Sequence, residues 1–374
     1  MTVNMEMRPT TACIDLDALS SNFHNSKQFI GPDLGYMAVV KADAYGHGAI
    51  ECALRLEREG VDWFGVAIPE EGLELRNAGI GAPILCLGSF WPGQEETIID
   101  AALTPVIFDI GAAESLNRVA KGRSVTVDVH VKIDTGMGRA GIRFENSREF
   151  ALGLRALANL RGAGLMTHFA SAEDPREAEF TSLQIKRFNA AVEDFRKAGH
   201  ALDWLDLANS PGAISHPASR GNLVRLGGAL YGLLDDIMPA GKYGPELTPV
   251  LSLRSQIADV KNIPAGETLG YGRSFTTKRE SKIALVPIGY ADGYPRGLSN
   301  VSRVAINGNF ASIVGRISMD WTLIDVTEID SPKVGDEVVL IGNGITAAEL
   351  ARAINTIGYE ITCGISPRVP RVYK

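Results

Sequence analysis

The sequence predicts an α/β protein: an N-terminal (β/α)8 barrel of the TIM type followed by a C-terminal all-β domain. Three observations carry this. Between residues 36 and 226 there are eight short apolar runs, with amphipathic helical patterns in most of the gaps. Eight βα units over roughly 200 to 250 residues is the specification of such a barrel. Near residues 239–245, Pro-Ala-Gly-Lys-Tyr-Gly-Pro, the texture changes. Beyond that point segments alternate with period two between Gly, Pro, Asn and Asp turns, as an all-β domain does.

Taken in order, the barrel strands are expected over 37–40, 63–67, 83–87, 105–108, 125–133, 164–168, 205–208 and 223–226. Such short, continuously apolar runs read as strands buried on both faces. Helices are expected over 49–58, 70–78, 147–157 and 182–198. Some of the eight strands are weak, so a doubly wound sheet is the competing arrangement. In the C-terminal domain strands are expected over 250–260, 282–288, 301–306, 312–314, 321–326 and 337–341, with one good helix. The predicted organisation is an N-terminal segment 1–12 packing with the β domain, a barrel over 13–245 and a β domain over 246–374. Gly342-Asn-Gly-Ile-Thr-Ala347 imitates half of a dinucleotide fingerprint. The chain left after it, about thirty residues, is too short to complete that unit. Thr346 with Glu349 makes a capping box, which accounts for the pattern locally.

Composition narrows the function. The 374 residues are 45% hydrophobic and 22% charged, ordinary soluble usage. Lysine and arginine number 37 against 44 aspartates and glutamates, a net charge of −7, so nucleic acid and anionic membrane have no electrostatic case as partners. No stretch approaches the ~20 apolar residues of a membrane span. The start, MTVNMEMRPTTACIDLDAL, lacks the apolar core of a signal peptide. Cys13, Cys52, Cys86 and Cys363 have no paired spacing, so neither a disulfide frame nor a metal site is indicated. These features predict a cytoplasmic protein.

The stretch around which the chain is organised is Tyr36-Met-Ala-Val-Val-Lys-Ala-Asp-Ala-Tyr-Gly-His-Gly48. Its apolar run ends on Lys41, and Gly46 and Gly48 open a turn into an Ala-rich helix. The C-terminal mouth of a buried parallel strand is where ligands bind in α/β folds. Partial desolvation there lowers an amine's pKa and frees its lone pair, which suits Schiff-base chemistry. By position alone, a lysine snorkelling off a strand end would look the same.

The segment KADAYGHG resembles the pyridoxal-phosphate lysine motif of alanine racemases, the fold-type III amino-acid racemases. Other segments resemble that family in the same order along essentially the whole chain. They are Val129-His-Val-Lys-Ile-Asp-Thr-Gly-Met-Gly-Arg139, Met166-Thr-His-Phe-Ala170, Ala208-Asn-Ser-Pro-Gly212 and Arg225-Leu-Gly-Gly-Ala-Leu-Tyr-Gly232. In the β domain they are Leu269-Gly-Tyr-Gly-Arg-Ser-Phe275, Gly289-Tyr-Ala-Asp-Gly-Tyr-Pro-Arg296, Val314-Gly-Arg-Ile-Ser-Met-Asp320 and Cys363-Gly-Ile-Ser-Pro-Arg-Val-Pro-Arg371.

The resemblance implies pyridoxal 5'-phosphate as cofactor and racemisation of L- and D-alanine by two bases, for peptidoglycan synthesis or D-alanine breakdown. It makes Lys41 and Tyr271 the catalytic bases, with Lys41 also carrying the cofactor. Tyr45, Ser210 and the amides of Gly227 and Gly228 are implied to hold the phosphate, Arg225 to face the ring nitrogen, and Tyr231 to lie among the cofactor's neighbours. His168 joins the relay that a tyrosine of pKa ~10 needs near neutrality. Arg139 is implied to meet the cofactor's phenolic oxygen and the substrate carboxylate, and Met319 to offer that carboxylate an amide. Lys132 corresponds to a lysine often carbamylated in the family, whose anion holds Arg139. Asp320 lies beside Met319, and Tyr290 and Arg296 line the substrate's way in. Tyr271 comes from the partner subunit in the family, which implies an active homodimer. Singly, each of these residues fits an ordinary structural role equally well; their joint occurrence carries the assignment. Ser318, Trp321 and Pro367 depart from the family pattern. The last two keep a broader-specificity, serine or lysine racemase of the same fold as the alternative.

Overall fold

The computed structural model describes residues 8–238 and 243–374, and these fall into two compact units. One comprises Leu19–Ala44 and Gly48–Thr248; the other comprises the described residues up to Ala18, Tyr45–His47 and Pro249–Lys374. Residues 1–7 of the expected N-terminal segment and 239–242 of the expected junction lie outside the described residues.

The first unit is built on eight parallel strands. They are β1 (Gly35–Val39), β2 (Trp63–Val66), β3 (Ile84–Cys86), β4 (Thr104–Ile107), β5 (Val127–Asp134), β6 (Leu160–Met166), β7 (Trp204–Asp206) and β8 (Leu223–Leu226). Strands β1 to β7 neighbour one another in chain order, and β8 pairs with β1 in the register Leu223↔Gly35. The Asn222 amide donates to the Leu205 carbonyl at 3.2 Å and the Arg225 amide to that of Ala208 at 3.0 Å, bringing β8 against β7 as well. A doubly wound sheet has two free edges; here the last strand lies beside the first. The (β/α)8 barrel is the arrangement found.

Met37, Trp63, Leu85, Val106, Met166 and Leu223 come from six of the strands and form one buried cluster. Burying each such side chain stabilises the fold by about 1.5–3 kcal/mol. Strand β6 starts earlier than the expected 164–168, because Leu160 pairs with Val127 ahead of a bulge after Val129. Arg161 and Gly162 in the early part of that run hide its start from sequence.

The second unit holds a nine-stranded sheet. Its order is Asp259–Ile263, Ser281–Val286, Thr322–Asp325, Asn309–Ile313, Arg303–Ile306, Glu337–Ile341, Leu251–Gln256, Thr11–Ile14 and Arg371–Tyr373. The single strand expected over 250–260 is broken. The Ile257 amide donates to Asp336 and the Ala258 amide to Leu285, so the chain changes neighbours there. Two short helices, Ala347–Ala353 and Gly358–Cys363, stand where one was expected. The Glu349 amide donates to Thr346 Oγ1 at 3.0 Å, the N-cap inferred for the fingerprint-like segment. No helix among the described residues is long and apolar enough to cross a membrane.

Candidate active site

The lysine segment departs from the glycine turn that its sequence suggests. The Val40 amide extends β1 by donating to Gly65 at 2.9 Å. Then Ala42, Asp43, Ala44 and Tyr45 take φ of 52°, 53°, 52° and 56°, and Gly46 takes 85°. Within the helical segment Lys41–Gly46, the five residues from Ala42 onward thus form a left-handed turn. For L-residues that costs roughly 1–2 kcal/mol each, so neighbouring contacts must hold it. The Ala42 amide donates to Glu71 Oε1 at 2.8 Å, and Asp43 Oδ1 accepts from the Ala49 amide at 2.8 Å. Gly46 closes the turn where a Cβ would come 2.1 Å from the Thr362 carbonyl oxygen. Arg371 Nε donates to the Gly46 carbonyl at 3.2 Å. Lys41, half-buried, stands at the C-terminal mouth of the barrel.

Four other predicted residues act on this mouth from β5, β8 and the segments that follow β5 and β6. Arg225 is buried on β8. Its Nη1 donates to the Asp206 carbonyl at 3.0 Å and pairs with the Asp206 carboxylate. Its Nη2 donates to the Thr167 carbonyl at 2.9 Å and faces His168 Nδ1 at 3.3 Å. Arginine has no acceptor, so His168 Nδ1 takes that bond and its proton sits on Nε2. Burial, then the cations Arg225, Lys132, Arg139 and Lys41, push His168 down to about 2. This imidazole is neutral. Lys132, buried on β5, is lowered to about 8, first by desolvation and then by Arg225, Arg139 and Lys41. Arg139 is exposed, at the end of a loop closed by Asp134 Oδ1 accepting from the Gly136 and Gly138 amides at 3.0 Å each.

The adjoining backbone forms a cradle. Ser210, buried at the end of the β7 loop, accepts at Oγ from the Gly227 amide at 2.9 Å and the Ala229 amide at 3.4 Å. Gly228 is buried beside them. Tyr231 sends its hydroxyl to the Val39 carbonyl at 2.9 Å, two residues before Lys41.

The remaining predicted residues belong to the second unit. Tyr45 rings against Tyr359 with centroids 5.6 Å apart. Tyr271 lies in a short 3-10 turn and is 71% exposed. Tyr290 and Met319 are neighbours: the Tyr290 amide donates to Ser318 and the Ala291 amide to Met319, each at 3.0 Å. Arg296 is exposed, and Asp320 accepts from Arg368 Nη2 at 2.8 Å. Arg368 follows Pro367 directly, so the departure at 367 adjoins this ion pair.

Sequence reasoning missed Asp206, Thr135, Thr167 and Gln184. Asp206 offered a signal, a carboxylate inside the apolar run Leu205-Asp-Leu-Ala208 that needs a buried partner. In sum Lys41, Arg139 and Arg225 all act on Lys132, where the carboxylate of Asp206 opposes them, and together with Lys132 they act on His168. Like charges gathered this way call for anions. A ligand with a phosphate, a phenolate and a carboxylate fits that donor set.

Two sequence profiles match the chain, "Alanine racemase, N-terminal domain" over residues 14–235 and "Alanine racemase, C-terminal domain" over 250–373. An alanine racemase of Halothermothrix orenii is 44% identical over 371 residues, covering 98% of this chain and 97% of its own. Among solved structures, an alanine racemase of Clostridium difficile superposes with a TM-score of 0.91 at 37% identity, over 99% of this chain and 97% of its own. One from Bartonella henselae, described with covalently bound pyridoxal phosphate, superposes at 0.89 with 31% identity, over 98% and 99%.

Proposed function

The chain belongs to the alanine racemase family and interconverts L- and D-alanine; we propose that it does so with pyridoxal 5'-phosphate, using Lys41 and Tyr271 on opposite faces of the α-carbon. The observation that carries this reading is the gathering of Lys41, Lys132, Arg139 and Arg225 around one barrel mouth beside the Ser210 and Gly227 cradle. When bound, the cofactor would withdraw electron density from the α-carbon and acidify its proton. Lys41 holds the cofactor and then moves a proton on one face. Tyr271 moves it on the other, with His168 Nε2–H as a neutral donor in its relay. Ser210 through its hydroxyl hydrogen, the Gly228 amide and Tyr45 would receive the phosphate, with the Gly227 amide turning to it from Ser210 Oγ. Arg225, braced by Asp206, presents a permanent cation to the ring nitrogen and cannot protonate it. Arg139 and the Met319 amide take the substrate carboxylate, and Lys132 as a carbamate orients Arg139.

Tyr271, Tyr290, Met319 and Trp321 are 71%, 42%, 52% and 42% exposed. Large apolar side chains left to solvent mark a surface for a partner. The reading gives that surface to a second copy, so that Tyr271 completes the partner's site in a homodimer. The protein then works in the cytoplasm, supplying or consuming D-alanine. Titration of the purified protein with pyridoxal phosphate tests the cofactor. A visible absorbance band should grow, and borohydride should fix the label on the peptide bearing Lys41. No band, or a label on another lysine, overturns the assignment.

A further inference from the structure

We propose that Gln184 is a positioning residue for this reaction, part of a buried clamp on helix Ala178–Lys197 that fixes the loop carrying Arg139 and the strand end carrying His168. The inference rests on the reading above, in which those two residues serve the substrate.

Gln184 is fully buried, and a glutamine out of water must satisfy both its amide hydrogens and its carbonyl. Nε2 donates to Thr135 Oγ1 and to the His168 carbonyl, each at 3.1 Å, and Oε1 accepts from the Ala170 amide at 3.1 Å. One side chain therefore ties the loop after β5 to both flanks of Phe169. The hydroxyls beneath it run in one direction. Thr167 Oγ1 donates to the Ile133 carbonyl at 2.8 Å, so in its 2.8 Å contact with Thr135 it accepts. Thr135 has then used its hydrogen, and its oxygen needs a donor. Gln184 supplies one; glutamate or leucine would not.

The same helix face grips the loop at two more points. Arg187 Nη1 donates to the Thr135 carbonyl at 2.8 Å. Gly136, at φ 141°, lies so close to Phe180 that a Cβ there would come 2.8 Å from its Cζ. Positions 180, 184 and 187 share one helical stripe. The loop is stiff within itself, since Asp134 Oδ1 binds the Gly136 and Gly138 amides. A shift at Thr135 is thus carried along to Arg139.

Two measurements test the clamp, on wild type, Gln184→Met, Thr135→Val and the double variant. In protein without added cofactor, the Gly136 and Gly138 amides should exchange hydrogen about ten-fold faster or more in each single variant. In the cofactor-saturated enzyme, kcat/KM per bound cofactor should fall about ten- to a hundred-fold, mainly through KM for alanine, because Arg139 is displaced by a fraction of an ångström. The double variant should be no worse than the poorer single one, because both cut the same chain of bonds. Unchanged exchange, unchanged KM, or losses that multiply in the double variant each overturn the clamp. If Gln184→Met does not fold, Thr135→Val alone decides by the same two readouts. A wild type that leaves alanine untouched sinks the underlying reading; an active wild type with a normal Gln184→Met sinks the clamp alone.

Discussion

Arg225 and Asp206 form an ion pair inside the barrel mouth, with the guanidinium 3% exposed and the carboxylate fully enclosed. Enclosure pushes the Asp206 carboxyl up to about 6 against the pull of Arg225 and Lys132, which leaves it ionised at neutral pH. The pair fixes Arg225 by a carbonyl and a carboxylate of one residue, and His168 reads its position through Nδ1. The Arg225 cation is thus held in one place by its own buried counterion.

Removing that counterion should be expensive. Asp206→Asn leaves the Arg225 charge buried and unpaired, and the expected loss is about 3–5 kcal/mol of unfolding free energy. Urea unfolding of the cofactor-free protein measures it. A loss under ~1 kcal/mol, typical of exposed pairs, would mean that water reaches Arg225 freely.

The hand of the Lys41–Gly46 turn makes a sign prediction. Ala42 is exposed with φ 52°. In a left-handed turn Ala42→Gly relieves strain and should stabilise by about 1 kcal/mol. In a right-handed helix the same change would destabilise by about 1 kcal/mol. Thermal unfolding of the two proteins separates the cases by direction alone.

That turn also shows where sequence stops being legible. The barrel could be read from its apolar runs because parallel strands are buried on both faces, and Lys41, Arg139, His168, Ser210 and Arg225 fell at strand ends or in the loops after them. Ala-Asp-Ala-Tyr carries no mark of left-handed backbone; only Gly46 does, and it reads equally as an ordinary turn. Asp206 sat inside a strand run and Gln184 inside a helix, where a polar residue looks like solvent-facing surface until packing encloses it. The break at Ile257 is invisible for another reason, since period-two alternation continues through a change of strand partner.

Lys132 gives a pH dependence. Its folded value, about 8, lies below the unfolded 10.5, so the unfolded chain binds the extra proton between these limits. Stability owed to this residue therefore rises with pH from about 8 to 10.5, and the penalty of its buried charge is fully present below 8. In buffer purged of carbon dioxide, Lys132→Met should be more stable than wild type at pH 7, with the gap closing toward pH 10. A gap that is constant with pH would contradict the shift.

The lowered value also makes the amine available to carbon dioxide. Its neutral form attacks the carbon of CO2, forming a carbamate and releasing one proton. With labelled bicarbonate, a carbamate carbon resonance should appear in wild type and vanish in Lys132→Ala. Its absence from wild type would leave Lys132 a plain cation beside Arg139.

The central claim is two bases on two faces, and the direct measurement is deuterium uptake at the α-carbon of L- and D-alanine in heavy water. Wild type should exchange and invert both enantiomers. Lys41→Ala should do neither. Tyr271→Phe should lose inversion while slowing chiefly the exchange of L-alanine. Equal slowing of both enantiomers in Tyr271→Phe, with inversion retained, would contradict the assignment of a separate face to Tyr271.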